Sequence, residues 1–226
     1  MLRARPQPSL PMEPPPAEER ILSAATEEFA ENGFFGARTQ AIADAAGVNK
    51  AMLHYYFRTK ENLYSRVIQT ALKKTLTRVS QSWLGPGPLK LRAERVVDSY
   101  MDSYEENPAL LKIILREVVD GGKRLKEAVR ELKKADIPEE EHTPLEVVQE
   151  AARELGLPPG ETIHFLVNLV GMCVVSFTSP ILLETLLDVD VSDMRVFLKD
   201  RRRAIKATVF SSLDSLKKRK KGADRS

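Results

Sequence analysis

The chain has 226 residues, of which 42% are hydrophobic, 30% charged and 6% aromatic, and its net charge at pH 7 is +3. Such a chain can bury a sizeable core in one large or two small domains, which excludes a stapled mini-protein and disorder throughout. The single cysteine, Cys173, and an N-terminus with no apolar run after Arg3 and Arg5 point to a reducing, cytoplasmic setting and not to secretion.

Residues 1–16 carry Pro6, Pro8, Pro11, Pro14, Pro15 and Pro16 and read as a Pro-rich disordered arm. From Ala17 the steps between Ile21, Leu22, Ala25 and Phe29 predict a helix that Gly33 stops. Thr39 offers an N-cap hydroxyl to a short helix containing Ile42, Ala43 and Ala46, and Gly47 supplies the turn after it. Asn49 caps a second short helix over 50–56. Thr59 opens a long one that carries Leu63, Val67, Ala71, Leu72 and Val79 on one face, ending near Trp83 ahead of Gly85-Pro86-Gly87-Pro88. Further helices are predicted at 89–105, 109–119, 123–134, 144–155, 161–178, 181–187 and 192–219, with no strand pattern between them. The apolar run from Ile163 to Phe177 is broken by His164 and Asn168 and falls short of the ~20 residues of a membrane span, so no membrane partner is expected.

The expected fold class is therefore all-α, an N-terminal three-helix unit joined by a long helix to a larger helical body, which the resemblance named below makes a helix-turn-helix domain and a ligand-binding and dimerisation domain. The expected boundaries are an arm over 1–16, the helix-turn-helix domain over 17–62, the helical body over 63–219 and a basic tail over 220–226.

The near-neutral charge is a sum of unlike parts. Residues 1–78 hold 11 Lys and Arg against 8 Asp and Glu, residues 79–194 hold 12 against 21, and residues 195–226 hold 12 against 3, giving +3, −9 and +9. Within the first part, residues 38–78 hold eight basic residues and two acidic ones, which suggests an anionic partner at one place.

That place coincides with residues 39–64, where two short helices separated by Ala46-Gly47-Val48-Asn49 have helix-turn-helix spacing. The second helix would enter a DNA major groove with Lys50, Ala51, Met52, His54 and Tyr55 outward and Leu53 and Phe57 inward. Lys50 and Lys60 can offer charge, and Thr39 and Tyr55 hydroxyls, to phosphates, beside the N–H groups of helix starts at Thr39 and Thr59.

The stretch AIADAAGVNKAMLHYYFRTKENL, preceded by EEFAENGFFGART, resembles the signature of the TetR family of bacterial transcriptional regulators over roughly residues 18–66. The resemblance implies a homodimer that binds a palindromic double-stranded DNA operator, acts as a repressor and is released by a small-molecule effector held in the helical body. It also assigns Thr39 to a phosphate contact at a helix start, Lys50 to Met52 to base-proximal positions, Tyr55 and Tyr56 to groove-lining aromatics, and Lys60 to a phosphate anchor. The departures are His54, where the family usually has tyrosine, and Ala51, where glycine is frequent. Gln40 and Asn49 complete the expected DNA-binding set.

His54, His142 and His164 lie in separate segments, so no metal site is expected, and neither a cofactor nor an enzymatic motif is found. Cys173 reads as a packing thiol, Glu139-Glu140-Glu141 as a solvated loop and Lys217–Lys221 as a solvated helix end. Tyr100, Tyr104, Ile114, His164, Phe165, Asn168 and Met172 are the candidate effector pocket, combining large apolar groups with a few polar ones. The −9 balance there favours a neutral or cationic compound. The helix over 161–178 is apolar nearly all round, so Phe165, Leu169, Val174 and Phe177, with Phe197, Ile205, Val209 and Leu213 of the last helix, are the expected dimer interface, a four-helix bundle. A helical small-molecule binder without DNA regulation is the alternative reading.

Overall fold

The computed structural model describes residues 15–134, 144–178 and 180–223, and among the described residues it contains eleven helices and no strand. They are α1 (Ala17–Gly36), α2 (Thr39–Ala45), α3 (Lys50–Phe57), α4 (Lys60–Leu84), α5 (Leu89–Glu106), α6 (Pro108–Val119), α7 (Lys123–Lys134), α8 (Pro144–Leu155), α9 (Pro159–Thr178), α10 (Pro180–Leu187) and α11 (Met194–Ala223). The arm before Pro15, His142 and the glutamates at 139–141 lie outside the described residues, as do the side chains of Lys217–Lys221.

The chain divides into two compact units at Val67 and Ile68, inside α4. The division falls beyond residue 62 because the first turns of α4 belong to the N-terminal core. Leu63, Tyr64 and Val67 are buried there with Ile21, Ala25, Phe29, Ile42, Leu53 and Phe57. The Tyr64 ring meets Phe29 edge-on at 4.7 Å and Phe34 at 5.1 Å. Burying each such side chain is worth roughly 1.5–3 kcal/mol, which fixes three short helices that would not persist in isolation.

Two local expectations are corrected here. Gly33 does not end α1: its φ of 67° lets the helix kink and run on to Gly36, and the Ala37 N–H donates to the Gly33 carbonyl at 3.1 Å. Thr39 is not the cap of α2 but its first helical residue; Arg38 holds the cap position, and no side chain caps the helix.

In the second unit α5, α8, α9 and α11 surround Trp83, Ala93, Val97, Met101, Leu169, Cys173, Ile205, Val209 and Leu213, all buried. Val147, Ala151 and Leu155, four positions apart, place one stripe of α8 in the same core. Burial pushes the Cys173 thiol up to about 12, so it packs as an uncharged group. Leu169, Ile205, Val209 and Leu213 therefore cannot form a dimer interface, because their own chain already covers them. Phe165, Phe177 and Phe197 are partly buried against that core, and Val174 is half-buried.

A polar ladder joins α5 to α11. Arg202 pairs with Asp98 at 3.0 Å, Asp102 at 2.7 Å and Glu105 at 2.8 Å, and Lys206 pairs with Glu94 at 2.9 Å and Asp98 at 2.8 Å. Burial works against the Arg202 charge, but the hydrogen bonds it donates to Glu105, Asp102 and Asp98 outweigh it and raise its pKa.

The apolar run in α9 is longer than expected. Gly160–Thr178, 19 residues with a mean hydropathy of 1.5, is by length and composition apolar enough to cross a membrane. Its inward residues Thr162, Leu169, Cys173 and Ser176 are buried in the helical body, and the Thr162 and Ser176 hydroxyls donate to carbonyls one turn back. Ile163, Val167 and Val175 form an exposed apolar outer side.

Candidate functional site

The turn between α2 and α3 is set by hydrogen bonds that close the end of α2. Ala46 N–H donates to the Ile42 carbonyl at 2.9 Å and Val48 N–H to the Ala43 carbonyl at 3.0 Å. Gly47 has φ +65° with open space where a Cβ would sit, so the backbone conformation, not crowding, calls for glycine. The Arg20 guanidinium ties α1 to this turn through a 3.0 Å hydrogen bond from Nε to the Ala46 carbonyl.

The next helix starts on Asn49, whose side-chain oxygen accepts the Met52 N–H at 2.8 Å. Asn49, expected among the DNA contacts, thus already has one oxygen engaged as a cap. Leu53 and Phe57 anchor α3 from behind. Lys50, Ala51, Met52, His54, Tyr55 and Tyr56 are all exposed, Tyr55 by 70%. The Tyr55 and Tyr56 rings meet edge-on at 5.5 Å. One outward face thus carries a cation, a thioether, an imidazole and two phenols, groups able to meet base edges and phosphates.

The remaining expected residues are more engaged. Gln40 donates from its amide to Asp44 on the next turn of α2 at 2.8 Å, and Thr39 is half-buried. The Lys60 ammonium donates to the Phe35 carbonyl at 3.3 Å and lies 5.1 Å over the Phe34 ring, so it also closes the end of α1. Arg38 and Arg58 are exposed cations that sequence reasoning passed over. Arg58 has a left-handed φ of 60° in the α3–α4 turn, unusual for arginine. Glu19, Glu27, Glu28 and Glu31 face Ala41 and Ala45 across an open groove of about 640 Å³ between α1 and α2. That side of the unit repels phosphate.

Two smaller cavities lie among the described residues of the second unit. The larger, about 120 Å³, is lined by α4, α5, α8 and α9 and includes Trp83, Ser80 and Tyr100. The smaller, about 70 Å³, is lined by α4, α5 and α6 and includes Tyr104, Asn107 and Ile114. Tyr100 and Tyr104, with ring centroids 6.1 Å apart, thus serve different cavities. His164 and Asn168, expected as the polar groups of an effector pocket, are exposed on α9 and line neither, since polar residues on an otherwise apolar helix turn to solvent. Phe165 and Met172 pack against the core without lining either cavity. Trp83 went unrecognised because in sequence it reads only as the end of a helix.

The family described as bacterial regulatory proteins, tetR family, matches residues 21–67. The HTH-type transcriptional regulator RutR of Escherichia coli (strain K12) is 42% identical over 69 residues, 30% of this chain and 29% of that protein. The HTH-type transcriptional repressor SCO4008 of Streptomyces coelicolor is 30% identical over 110 residues, 49% of this chain and 54% of that protein. The aligned part of the chain thus spans about three-tenths of the one relative and about half of the other. The crystal structure of a TetR-like transcriptional regulator from Rhodococcus sp. RHA1 shares the fold, with a TM-score of 0.60 at 14% identity over 88% of this chain and 96% of that one. Residues 21–67 thus match the tetR family of bacterial regulatory proteins, and the all-helical fold that continues beyond them is similar to that of the Rhodococcus protein.

Proposed function

We propose that the chain is a DNA-binding transcriptional regulator, a repressor that binds a palindromic operator as a homodimer and is released by a small-molecule effector. The observation that carries this reading is the outward face of α3, exposed from Lys50 to Tyr56 while Leu53 and Phe57 hold its back. Held in that way, a short helix can enter a major groove without losing its packing. Similarity to a relative named a repressor supports the direction of control, and the cytoplasm is the compartment the reading requires.

A homodimer would place two such helices about one DNA turn, ~34 Å, apart. The surface that suits a second copy is the exposed apolar side of α9, Ile163, Val167 and Val175, with Leu186 and Leu187 of α10 and Val196 of α11. An effector that binds better to a state with another spacing weakens operator affinity by its differential affinity for the two states.

Selection of bound sequences from a random duplex library tests the reading, followed by a salt titration on the winners. An enriched palindrome with a steep salt dependence is expected. No enriched palindrome would overturn the DNA-binding reading, and a monomer by light scattering at micromolar concentration would overturn the dimer.

A further inference from the structure

The larger cavity of the second unit has a wall of one chemical kind. Val79, Val96, Val148 and Leu166 represent its aliphatic lining, and among the described residues no charged side chain takes part. The Ser80 hydroxyl already donates to the Leu76 carbonyl at 2.7 Å. Tyr100 stays a neutral phenol, its ionisation pushed up to about 12 by burial and then by Cys173. Trp83, fully buried, lines the same cavity, and its indole N–H has no acceptor among the described residues. A donor withdrawn from water with nothing to accept its proton is costly to the fold and calls for an explanation. The neighbouring Arg92 guanidinium lies 5.8 Å over the Trp83 ring. It stands outside the lining, pairs with Glu154 and donates to the Trp83 carbonyl at 3.3 Å.

We propose that this cavity takes an uncharged, compact, mostly apolar molecule whose single acceptor oxygen receives the Trp83 indole N–H. Size follows from volume: an apolar cavity of ~150 Å³ holds benzene with its six carbons, so about 120 Å³ suits about five or six non-hydrogen atoms. Charge follows from the wall, because an ionised group would lose its water and find no counter-charge. The inference names the chemical class of the effector and rests on the regulator reading only for its consequence at DNA.

Trp83 is the chain's one tryptophan, so its emission reports this cavity alone. The full chain is titrated with cyclopentanone, with methylenecyclopentane, which has the same shape but no oxygen, and with cyclopropanecarboxylate, which has as many non-hydrogen atoms, at neutral pH, using N-acetyltryptophanamide to correct for collisional quenching. Saturable binding of cyclopentanone is expected, about 10-fold tighter than that of methylenecyclopentane, with no saturable binding of the carboxylate. Calorimetry on Trp83→Phe should find the preference for the ketone abolished. Val170→Phe, which fills the cavity from its half-buried rim and leaves the indole alone, should lose both neutral ligands while keeping wild-type helicity. Equal binding of the two neutral compounds by the wild type, a carboxylate that binds as well as the ketone, binding that survives Val170→Phe, or no binding at all would overturn the proposal. Cyclopentanone that binds without weakening operator affinity would leave the cavity assignment standing and count against effector release. No binding alongside a selected palindrome would refute the cavity assignment and spare the DNA-binding reading.

Discussion

Asn49 separates what holds α3 in place from what α3 does. Its side-chain oxygen accepts the Met52 N–H at 2.8 Å, and its φ and ψ of −81° and 159° are those of an N-cap. Asn49→Ala removes that acceptor, which costs about 1 kcal/mol and lowers the melting temperature of a chain of this length by roughly 2–4 °C. Asn49→Asp keeps an acceptor and sets a negative charge at the positive end of the helix dipole, a gain of about 0.3–1 kcal/mol at low salt. Its melting temperature should therefore equal or exceed that of the wild type. DNA binding should respond in the opposite order. A carboxylate facing phosphate at ~4 Å in water is repelled by about 1 kcal/mol, so Asn49→Asp binds roughly 5-fold more weakly, an effect that fades as salt rises. Circular dichroism melts and fluorescence anisotropy on the selected duplex measure the two quantities. An Asn49→Ala protein that melts with the wild type would refute the cap, and an Asn49→Asp protein that binds DNA like the wild type would refute the placing of this helix start against phosphate.

Lys60→Ala should lose about 0.5–1 kcal/mol of stability through its contacts with Phe34 and the Phe35 carbonyl, and should flatten the salt slope of DNA binding by ~1 unit without changing sequence preference. An unchanged slope would leave Lys60 a purely structural residue. Met52→Ala, on the exposed face of α3, should instead shift base preference in the duplex selection and leave the slope alone. In the helical body, Leu213→Ala should cost about 2–5 kcal/mol, because the side chain is fully buried, whereas Val167→Asp should leave chemical denaturation unchanged and produce monomers in light scattering. The reverse pattern would contradict the assignment of inner and outer faces. The Arg78 hydrogen bond holds the Glu106 carboxyl below its usual pKa, so its contribution is present above the ordinary carboxylate range and is lost as pH falls through the lowered folded value. The stability difference between wild type and Arg78→Met should shrink between neutral pH and about pH 3, and a difference constant across that range would refute the coupling.

Helix positions were legible where punctuation is chemical. Gly85-Pro86-Gly87-Pro88, Asn107-Pro108 and Gly121-Gly122 stop helices by backbone geometry alone, and α4 through α7 end or start beside them. The outward face of α3 was legible for a similar reason, since Leu53 and Phe57 at a four-residue step define its back. What escaped depends on distant partners. Lys60 reaches a carbonyl 25 positions away, and nothing in the local sequence announces that contact. Trp83 becomes a cavity residue only when α5, α8 and α9 close around it. Thr39 has the composition of a cap but begins the helix itself, because the chain enters α2 through an extended Arg38 whose N–H already goes to Glu28.

Leu169, Ile205, Val209 and Leu213 face inward for a reason that also bears on the charge pattern. Periodicity on a helix apolar nearly all round cannot say which side faces inward, and for α9 the answer lies in α5 and α11. Their polar ladder fixes the rotation of α11 about its axis: Arg202 and Lys206 point toward the carboxylates of α5, which turns Ile205, Val209 and Leu213 into the core. The acidic middle of the sequence and its basic C-terminal part therefore neutralise one another in part within a single chain, and neither needs an external partner to explain it. Between residues 38 and 78 the case is different. Lys50 and Arg58 are exposed cations at the two ends of α3, and Glu19, Glu27, Glu28 and Glu31 of the same unit line the α1 groove. A basic block that its own unit leaves at the surface, beside a helix whose large side chains point outward, is the part of the charge pattern that asks for an anionic partner.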